Sequence, residues 1–390
     1  MTAPQPQRLG IVMHGITGRM GANQHLLRSI VAIRREGGVA LADGRRVMPD
    51  PILIGRDDAK LAALAQQHGI ERHGTDLAAA LADPRDTVFF DAGTTQMRPA
   101  LLEQAIRAGK HVYCEKPIAA DLPTALSIAR LAQQSGLKHG AVQDKLYLPG
   151  LRKLDLLRRS GYFGRMLSVR IAFGYWVFEG DLQQPQRPSW NYRAQDGGGL
   201  VLDMMCHWRY VLDHLVGEVR SVSCLAVTQI PQRWDEAGRP YAATADDAAH
   251  ATLQLEGFGG ETVLAQIDMS WATRVRRDDL ATFQIDGTGG SAVAGLTACR
   301  VQPRAATPRP VWDPETRQPL DFLAQWQEVP DTEPADNAFK TQWEQFIRHV
   351  VVDAPYRGTL VDAAKGVQLV DAALRSSRER RWIDVPALSL

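Results

Sequence analysis

Cysteine is scarce and scattered: four in 390 residues (Cys114, Cys206, Cys224 and Cys299), with no C-x-x-C pair and no His/Cys cluster at metal-ligand spacing. That excludes a disulfide framework and argues against a zinc site, and it fits a reducing compartment, so the expected location is cytoplasmic. An excess of either charge is lacking too, with 45 Lys+Arg against 44 Asp+Glu. Without a basic field, neither nucleic acid nor an anionic membrane surface is an expected partner. No apolar run reaches the ~20 residues that cross a bilayer, and MTAPQPQRLGIVMHG reads as a polar tail entering a buried strand, not a secretion signal. Internal repeats and low-complexity tracts are absent as well.

What is present is length and apolar content, 45% hydrophobic residues, sufficient for two cores. Two domains are expected, 1–145 and 146–390. In the first, short apolar runs alternate with helical patterns, as in a parallel sheet with crossover helices. Strands are expected at Leu9–His14, Pro51–Gly55, Thr87–Ala92, His111–Cys114 and Lys138–Val142, and helices at Arg98–Ala108 and Leu122–Gln134. The segment GGVALADGRRVMPD, rich in Gly and Asp, reads as an inserted loop or hairpin. Beyond residue 146 the pattern changes to a helix at Pro149–Arg159 and then to β-rich runs, Met166–Gly174, Val219–Thr228, Ala249–Leu255, Thr262–Ser270 and Leu280–Ile285. Several alternate with period two, so one sheet face is covered and the other open. A Pro- and Asp-rich surface excursion from Pro303 to Asp336 precedes helices at Asn337–Val351 and Val361–Arg375. The fold class is α/β: a Rossmann dinucleotide-binding domain followed by an α+β domain with a large, open-faced, mainly antiparallel sheet.

Directly after the first strand, HGITGRMG sets Gly15, Gly18 and Gly21 at the start of a helix. Glycine lets a diphosphate approach the backbone, and a helix N-terminus offers unpaired N–H groups and a positive dipole end. The expected contacts of NAD or NADP are therefore Gly15, Thr17, Gly18, Arg19, Met20 and Gly21. After the second expected strand the chain reads Gly55-Arg56-Asp57. Arg56 there suits a 2′-phosphate, a slight lean to NADP, with Arg19 as a possible helper. Alternatively Asp57 takes the ribose diol. His14 reads as a strand-end residue.

Two further clusters carry chemistry. Cys114-Glu115-Lys116-Pro117 follows a parallel strand, at the end where open α/β sheets bind ligands, so that Lys116 is a cation for the reacting oxygen and Glu115 its orienting neighbour. Later, DGGGLVLDMMCHWRYVLD places Asp203 and His207 at i,i+4, on one face of a helix. Asp203 suits substrate hydroxyls, and the near-neutral imidazole of His207 suits exchange of a carbinol proton. Asp213 reads as structural.

The order of these elements, a glycine loop, then E-K-P, then G-G-G-x-x-x-D-x-x-x-H about ninety residues on, resembles the glucose–fructose oxidoreductase, inositol dehydrogenase and rhizopine-catabolism (Gfo/Idh/MocA) family over nearly all of the chain. SGYFGRMLSVRI, FQIDGTGGS and the closing DAAKGVQLVDAALRSS add to the likeness. The resemblance implies that Lys116, Asp203 and His207 are the catalytic trio and that Glu115 and Lys116 lie by the cofactor. It also implies that the outer face of the second sheet joins subunits, giving a homodimer or homotetramer. Where many members carry Asn and an Arg-rich run, this chain has Gln143-Asp144-Lys145-Leu146-Tyr147. Lys145 and Tyr147, with Trp190, Tyr192 and Arg193 of SWNYRAQD, join Lys116, Asp203 and His207 as expected substrate contacts, since aromatic faces beside hydrogen-bonding groups suit a pyranose. The arginine-rich WATRVRRDDL suits an acidic substituent or a solvated strand.

The expected activity is NAD(P)-dependent hydride transfer to or from a ring carbon of a sugar, sugar derivative or cyclitol. An alternative is a glycosidase-like cycle with retained NAD, in which a ring hydroxyl is oxidised, the aglycone eliminated and the ring reduced again. A third reading, a nucleotide-sensing regulator without chemistry, is disfavoured by the joint presence of Lys116, Asp203 and His207.

Overall fold

The computed structural model describes residues 6–332, 334 and 336–388, which leaves the first five residues of the expected tail and two residues of the expected excursion, Glu333 and Ala335, outside the described residues. The chain divides into two compact units. The first comprises residues 1–147, 336–368 and 388–390, and the second comprises 148–335 and 369–387. The helices near 340 and 360, placed by the sequence reading in the second domain, thus group partly with the first.

In the first unit, β1 (Gln7–His14) leads through the glycine loop into a π-helix, Gly21–Val31, that continues as α1 (Ala32–Arg35). The Gly- and Asp-rich insert forms a hairpin: β2 (Val39–Ala40) pairs antiparallel with β3 (Arg46–Ile54). Then come α2 (Asp58–His68), β4 (Arg72–Gly74), α3 (Leu77–Ala82), β5 (Asp86–Asp91), α4 (Arg98–Arg107), β6 (His111–Cys114), α5 (Leu122–Gln134) and β7 (His139–Ala141). The sheet order is β2-β3-β1-β5-β6-β7, with β4 also on β3, and every pair except β2–β3 is parallel. The strand order therefore reverses between β1 and β5. Strands covered on both sides must be apolar on both. Accordingly, Leu9, Ile11 and Met13 of β1 enter one core with the buried residues of the π-helix, while Val12 enters a second core with α4 and α5.

In the second unit, α6 (Pro149–Arg159) and β8 (Met166–Gly174) have the expected bounds. They are followed by α7 (Leu200–Leu215), β9 (Gly217–Val227), the hairpin β10 (Gln232–Trp234) and β11 (Pro240–Ala242), β12 (Ala248–Gly257), β13 (Thr262–Ser270), β14 (Ala281–Gly287), β15 (Gly290–Ala294), β16 (Cys299–Pro303) and β17 (Gln327–Glu328). The main sheet runs β17-β16-β15-β14-β8-β13-β12-β9-β18, where β18 is Ile383–Asp384, and only β8–β13 is parallel. One face is covered by α6 and α7. The open face is polar, with Arg170, His250, Gln266, Asp268 and Gln284 lining a groove there. Exposed Leu225 and Leu264 interrupt it. The outward positions of the alternating strands carry mainly polar side chains, so no extensive apolar patch covers this face among the described residues.

Late in the chain, α8 (Ala338–Val352) returns to the first unit, where Trp343, Phe346 and Ile347 are buried in the core that holds Leu9, Ile11 and Met13. The last helix, α9 (Leu360–Glu379), begins in the first unit and ends in the second. Its Leu360, Ala364 and Val367 join the other core of the first unit.

Candidate active site

The glycine loop closes tightly on itself. Gly15 has φ +74°, and a Cβ there would lie 2.3 Å from the backbone nitrogen of Gly93. A Cβ on Gly21 would lie 2.5 Å from the Gly15 carbonyl oxygen, so the helix start can approach the strand end only without side chains. No side chain caps the helix that follows, and Thr17, Gly18, Arg19 and Met20 are exposed. Uncapped N–H groups over a bare backbone cradle fit a dinucleotide diphosphate.

Of the two residues weighed after β3, Asp57 serves as the N-cap of α2: its carboxylate accepts from the Lys60 N–H at 3.1 Å and pairs with Lys60 Nζ at 3.2 Å. The Lys60 backbone hydrogen bond holds the Asp57 carboxyl below the usual carboxylate range. Arg56 is exposed beside it.

At the end of β6, Glu115 is buried and engaged at both oxygens. His25 Nε2 lies 2.8 Å from Oε1, and the Lys116 backbone N–H donates to Oε2 at 3.0 Å. The Trp343 indole, a donor only, donates to His25 Nδ1 at 3.0 Å, which leaves Nε2 as the nitrogen carrying the proton towards Glu115. Burial alone would raise the Glu115 pKa, but the hydrogen bond from His25, with the charges of Lys116 and Arg98, brings it below the ordinary value. Glu115 thus acts on Lys116 through the backbone, from a buried position. Lys116 is partly exposed. The Lys145 ammonium donates to Asp144 at 2.5 Å, and the Tyr147 hydroxyl donates to Gln345 Oε1 at 2.9 Å.

In the second unit, Gly199 precedes α7 at φ +132°, where a Cβ would lie 2.8 Å from Asp246 Oδ1. Asp246 caps the helix, its side chain accepting from Val201 N–H at 2.7 Å and its carbonyl from Leu200 N–H at 2.9 Å. One turn in, Asp203 Oδ2 accepts from Arg187 Nη2 at 2.8 Å. Arg187 also lies over the Trp271 ring, 4.3 Å from its centroid. One turn further, His207 is buried, with Nδ1 2.6 Å from the Tyr210 hydroxyl. Asp213 pairs with Arg209 at 2.8 Å, the structural role expected of it.

The aromatic residues of SWNYRAQD separate. Trp190 is half exposed, whereas Tyr192 is buried between the Arg233 guanidinium, 4.1 Å from its ring, and the edge of Trp271. The Tyr192 hydroxyl and the Trp271 indole N–H are buried with no hydrogen-bonding partner among the described residues. Arg193 lies over the Tyr241 ring at 4.3 Å. In the arginine-rich run, Arg277 donates to the Gly174 and Leu280 carbonyls at 2.7 and 2.6 Å, and Arg274 lies over the Trp176 ring.

Sequence reasoning missed Arg187, Trp271 and Asp246: Arg187 lies only 16 residues before Asp203 but in an irregular segment without periodicity, and Trp271 and Asp246 come from beyond residue 240. Tyr210 carried a signal, since i,i+3 spacing puts it beside His207 on the helix.

A strand-order reversal, an uncapped glycine cradle and a second unit presenting Asp and His on one helix turn define an oxidoreductase built on a dinucleotide-binding unit. Residues 11–141 match the model of the oxidoreductase family with an NAD-binding Rossmann fold, and residues 151–293 match that of the GFO/IDH/MocA C-terminal domain. The chain belongs to the Gfo/Idh/MocA family, and its cofactor is a nicotinamide dinucleotide. It is 53% identical over 380 residues to a D-xylose dehydrogenase from Paenarthrobacter nicotinovorans, covering 97% of this chain and 98% of that one. A levoglucosan dehydrogenase from Pseudarthrobacter phenanthrenivorans is 25% identical over 275 residues, 63% of this chain and 65% of the relative. Among solved structures, an apo levoglucosan dehydrogenase superposes with a TM-score of 0.80 at 20% identity, covering 98% of this chain and all of that one, which shows the shared fold.

Proposed function

We propose that the chain is an NAD(P)-dependent dehydrogenase acting on a ring hydroxyl of a small sugar, with D-xylose the first substrate to test. The observation that carries this reading is the α7 arrangement, Asp203 paired with Arg187 one turn before His207 paired with Tyr210. The identity with the D-xylose dehydrogenase supports the choice of sugar. The unpaired Tyr192 hydroxyl and Trp271 indole N–H in the same unit mark a place where polar groups await partners.

A dinucleotide held through its diphosphate on the glycine cradle would supply its nicotinamide ring as the acceptor for the carbinol hydride. His207 takes the hydroxyl proton as the C–H bond breaks, and the Tyr210 hydroxyl at Nδ1 keeps the ring oriented. Lys116 polarises the reacting oxygen, its backbone held by the buried Glu115 carboxylate. Asp203 accepts from neighbouring sugar hydroxyls, and Arg187 fixes its carboxylate.

Incubation with D-xylose and NAD or NADP should give stoichiometric reduced cofactor. No reduction with any of a panel of pentoses, hexoses and cyclitols overturns the proposal, while aglycone release from glycosides without net reduction replaces it with the redox-neutral cycle. The four cysteines are buried and joined by no disulfide, which suits the cytoplasm. Assembly into a homodimer or homotetramer would use the polar open face of the second sheet, and sedimentation showing a monomer at micromolar concentration would refute it.

A further inference from the structure

His14 ends β1 and Asp91 ends β5, and the two are register partners across the point where the strand order reverses. His14 Nδ1 lies 2.8 Å from Asp91 Oδ1. Asp91 is fully buried, its Oδ1 also accepts from Gly93 N–H at 2.9 Å, and its Oδ2 accepts from Arg98 Nε at 2.9 Å. Arg98 is fastened in turn, donating to the Gly93 carbonyl at 2.6 Å and to the Pro117 carbonyl. Burial by itself would raise the Asp91 pKa, but the hydrogen bonds from His14 and Gly93 and the Arg98 guanidinium hold the carboxyl below its usual range. An ionised carboxylate only accepts, so His14 Nδ1 carries a proton. Its Nε2 meets no hydrogen-bonding partner among the described residues, and the side chain retains 14% exposure.

A purely structural role leaves this arrangement unexplained. Arg98 already balances the charge of Asp91, so the imidazole is not needed to neutralise it. Gly93 leaves the ring its space, since a Cβ there would lie 3.3 Å from His14 Cε1 and 2.9 Å from Asp91 Oδ1. The ring sits at the carboxyl end of β1, beside the reversal crevice where open α/β sheets take their ligands, one residue before the cradle. The charged groups bonded to it or to its partner are Asp91 from β5 and Arg98 from α4 behind Asp91; the Glu115 carboxylate is committed to His25.

We propose that His14 is a cofactor-contacting residue that binds one proton from solvent when the dinucleotide docks, so that Nε2–H donates to the diphosphate while Nδ1–H stays on Asp91. The proton returns to solvent when the dinucleotide leaves. The proposal rests on the nicotinamide cofactor of the family and adds to it a pH-dependent affinity centred on a residue outside Lys116, Asp203 and His207.

ADP-ribose is the discriminating probe, because it keeps the diphosphate, lacks the nicotinamide and has no phosphate monoester titrating near neutrality. Calorimetric titration of the full chain at pH 6, 7 and 8, in buffers of different ionisation enthalpy, should show proton uptake and at least ~5-fold weaker binding at pH 8 than at pH 6, within the limit of about tenfold per pH unit for one proton. In His14→Gln, whose amide can still donate to Asp91 but does not titrate, uptake should vanish and the pH 6 and pH 8 affinities should converge. His14→Asn serves as a second variant, with thermal melts confirming the fold of each. Unchanged affinity and uptake in both variants, or pH-independent binding in the parent chain, overturns the role of His14. A parent chain that binds none of ADP-ribose, NADH and NADPH overturns the cofactor itself.

Discussion

Arg187 donates to Asp203 at 2.8 Å while its guanidinium carbon lies over the Trp271 ring, 4.3 Å from the centroid. A planar guanidinium does both at once, and an ammonium does not. The contact fixes Asp203 Oδ2 within the second unit, beside a buried aromatic wall.

Loss of that contact should appear in sugar recognition. Arg187→Ala should lower kcat/KM for the sugar ~10- to 100-fold, in line with the ~1.5–3 kcal/mol of a charged hydrogen bond. Arg187→Lys should recover only part of the loss, since it restores charge without stacking. Calorimetry should find the dinucleotide Kd unchanged in both; equal damage to cofactor binding would place Arg187 in a general structural role.

His207 and Tyr210 should separate chemistry from binding. His207→Ala should reduce kcat ~10²- to 10⁴-fold with the cofactor Kd nearly intact, and the near-neutral limb of the pH–rate profile should flatten. Tyr210→Phe removes the hydroxyl 2.6 Å from Nδ1 and should cost a smaller factor, ~3- to 30-fold, while moving that limb. Near-normal turnover in His207→Ala, with Lys116→Ala inactive, would transfer the acid–base role to Lys116.

The contribution of Arg56, exposed beside the Asp57 cap of α2, to cofactor choice is open to direct test. Replacing Arg56 with Ala should weaken NADP more than NAD, by ~1–3 kcal/mol where a charge-assisted phosphate contact is lost. Paired titrations with the two cofactors decide it, and equal losses would remove Arg56 from the 2′-phosphate.

Acid stability should depend on Asp91. Its folded pKa is depressed, so its contribution is complete above the ordinary carboxylate value near ~3.9 and is lost as pH falls through the folded value. Asp91→Asn leaves Arg98 buried without its countercharge and should cost ~3–5 kcal/mol at neutral pH. Urea denaturation at neutral and strongly acid pH should show the difference between parent and variant shrinking in acid; a constant difference would contradict the assignment.

Features that reside in contiguous residues were legible in the sequence. The glycine loop, the E-K-P turn and the Asp203/His207 helix each carry their signal within a short window, and strands buried on both faces, such as β1, read as unbroken apolar runs. The insert at residues 37–50 was readable as a loop or hairpin, and the structure shows the hairpin. What joins distant residues was not legible: Trp343 reaches His25 across 318 positions, and Arg187 reaches Asp203 from an irregular loop without periodicity. Asp57 illustrates a subtler limit, for an acid after a strand suits a ribose diol or a helix start equally well, and the bond it makes to the Lys60 backbone N–H appears only in the structure. His14 was read as a strand end because its partner, Asp91, is fixed by sheet register.

Because the first unit draws on residues 336–368, it cannot be completed during synthesis when its own strands have emerged. Trp343 and Phe346, which pack on Phe90 and Tyr113, follow β7 by roughly two hundred residues. At about 5–20 residues per second, the nascent sheet waits on the order of ten to forty seconds with that aromatic face uncovered. Most of the second unit leaves the ribosome in the interval, so the nucleotide-binding half is begun first and finished late. An expression fragment ending at Tyr147 would keep that face bare permanently, making it a client for chaperones rather than a miniature of the enzyme.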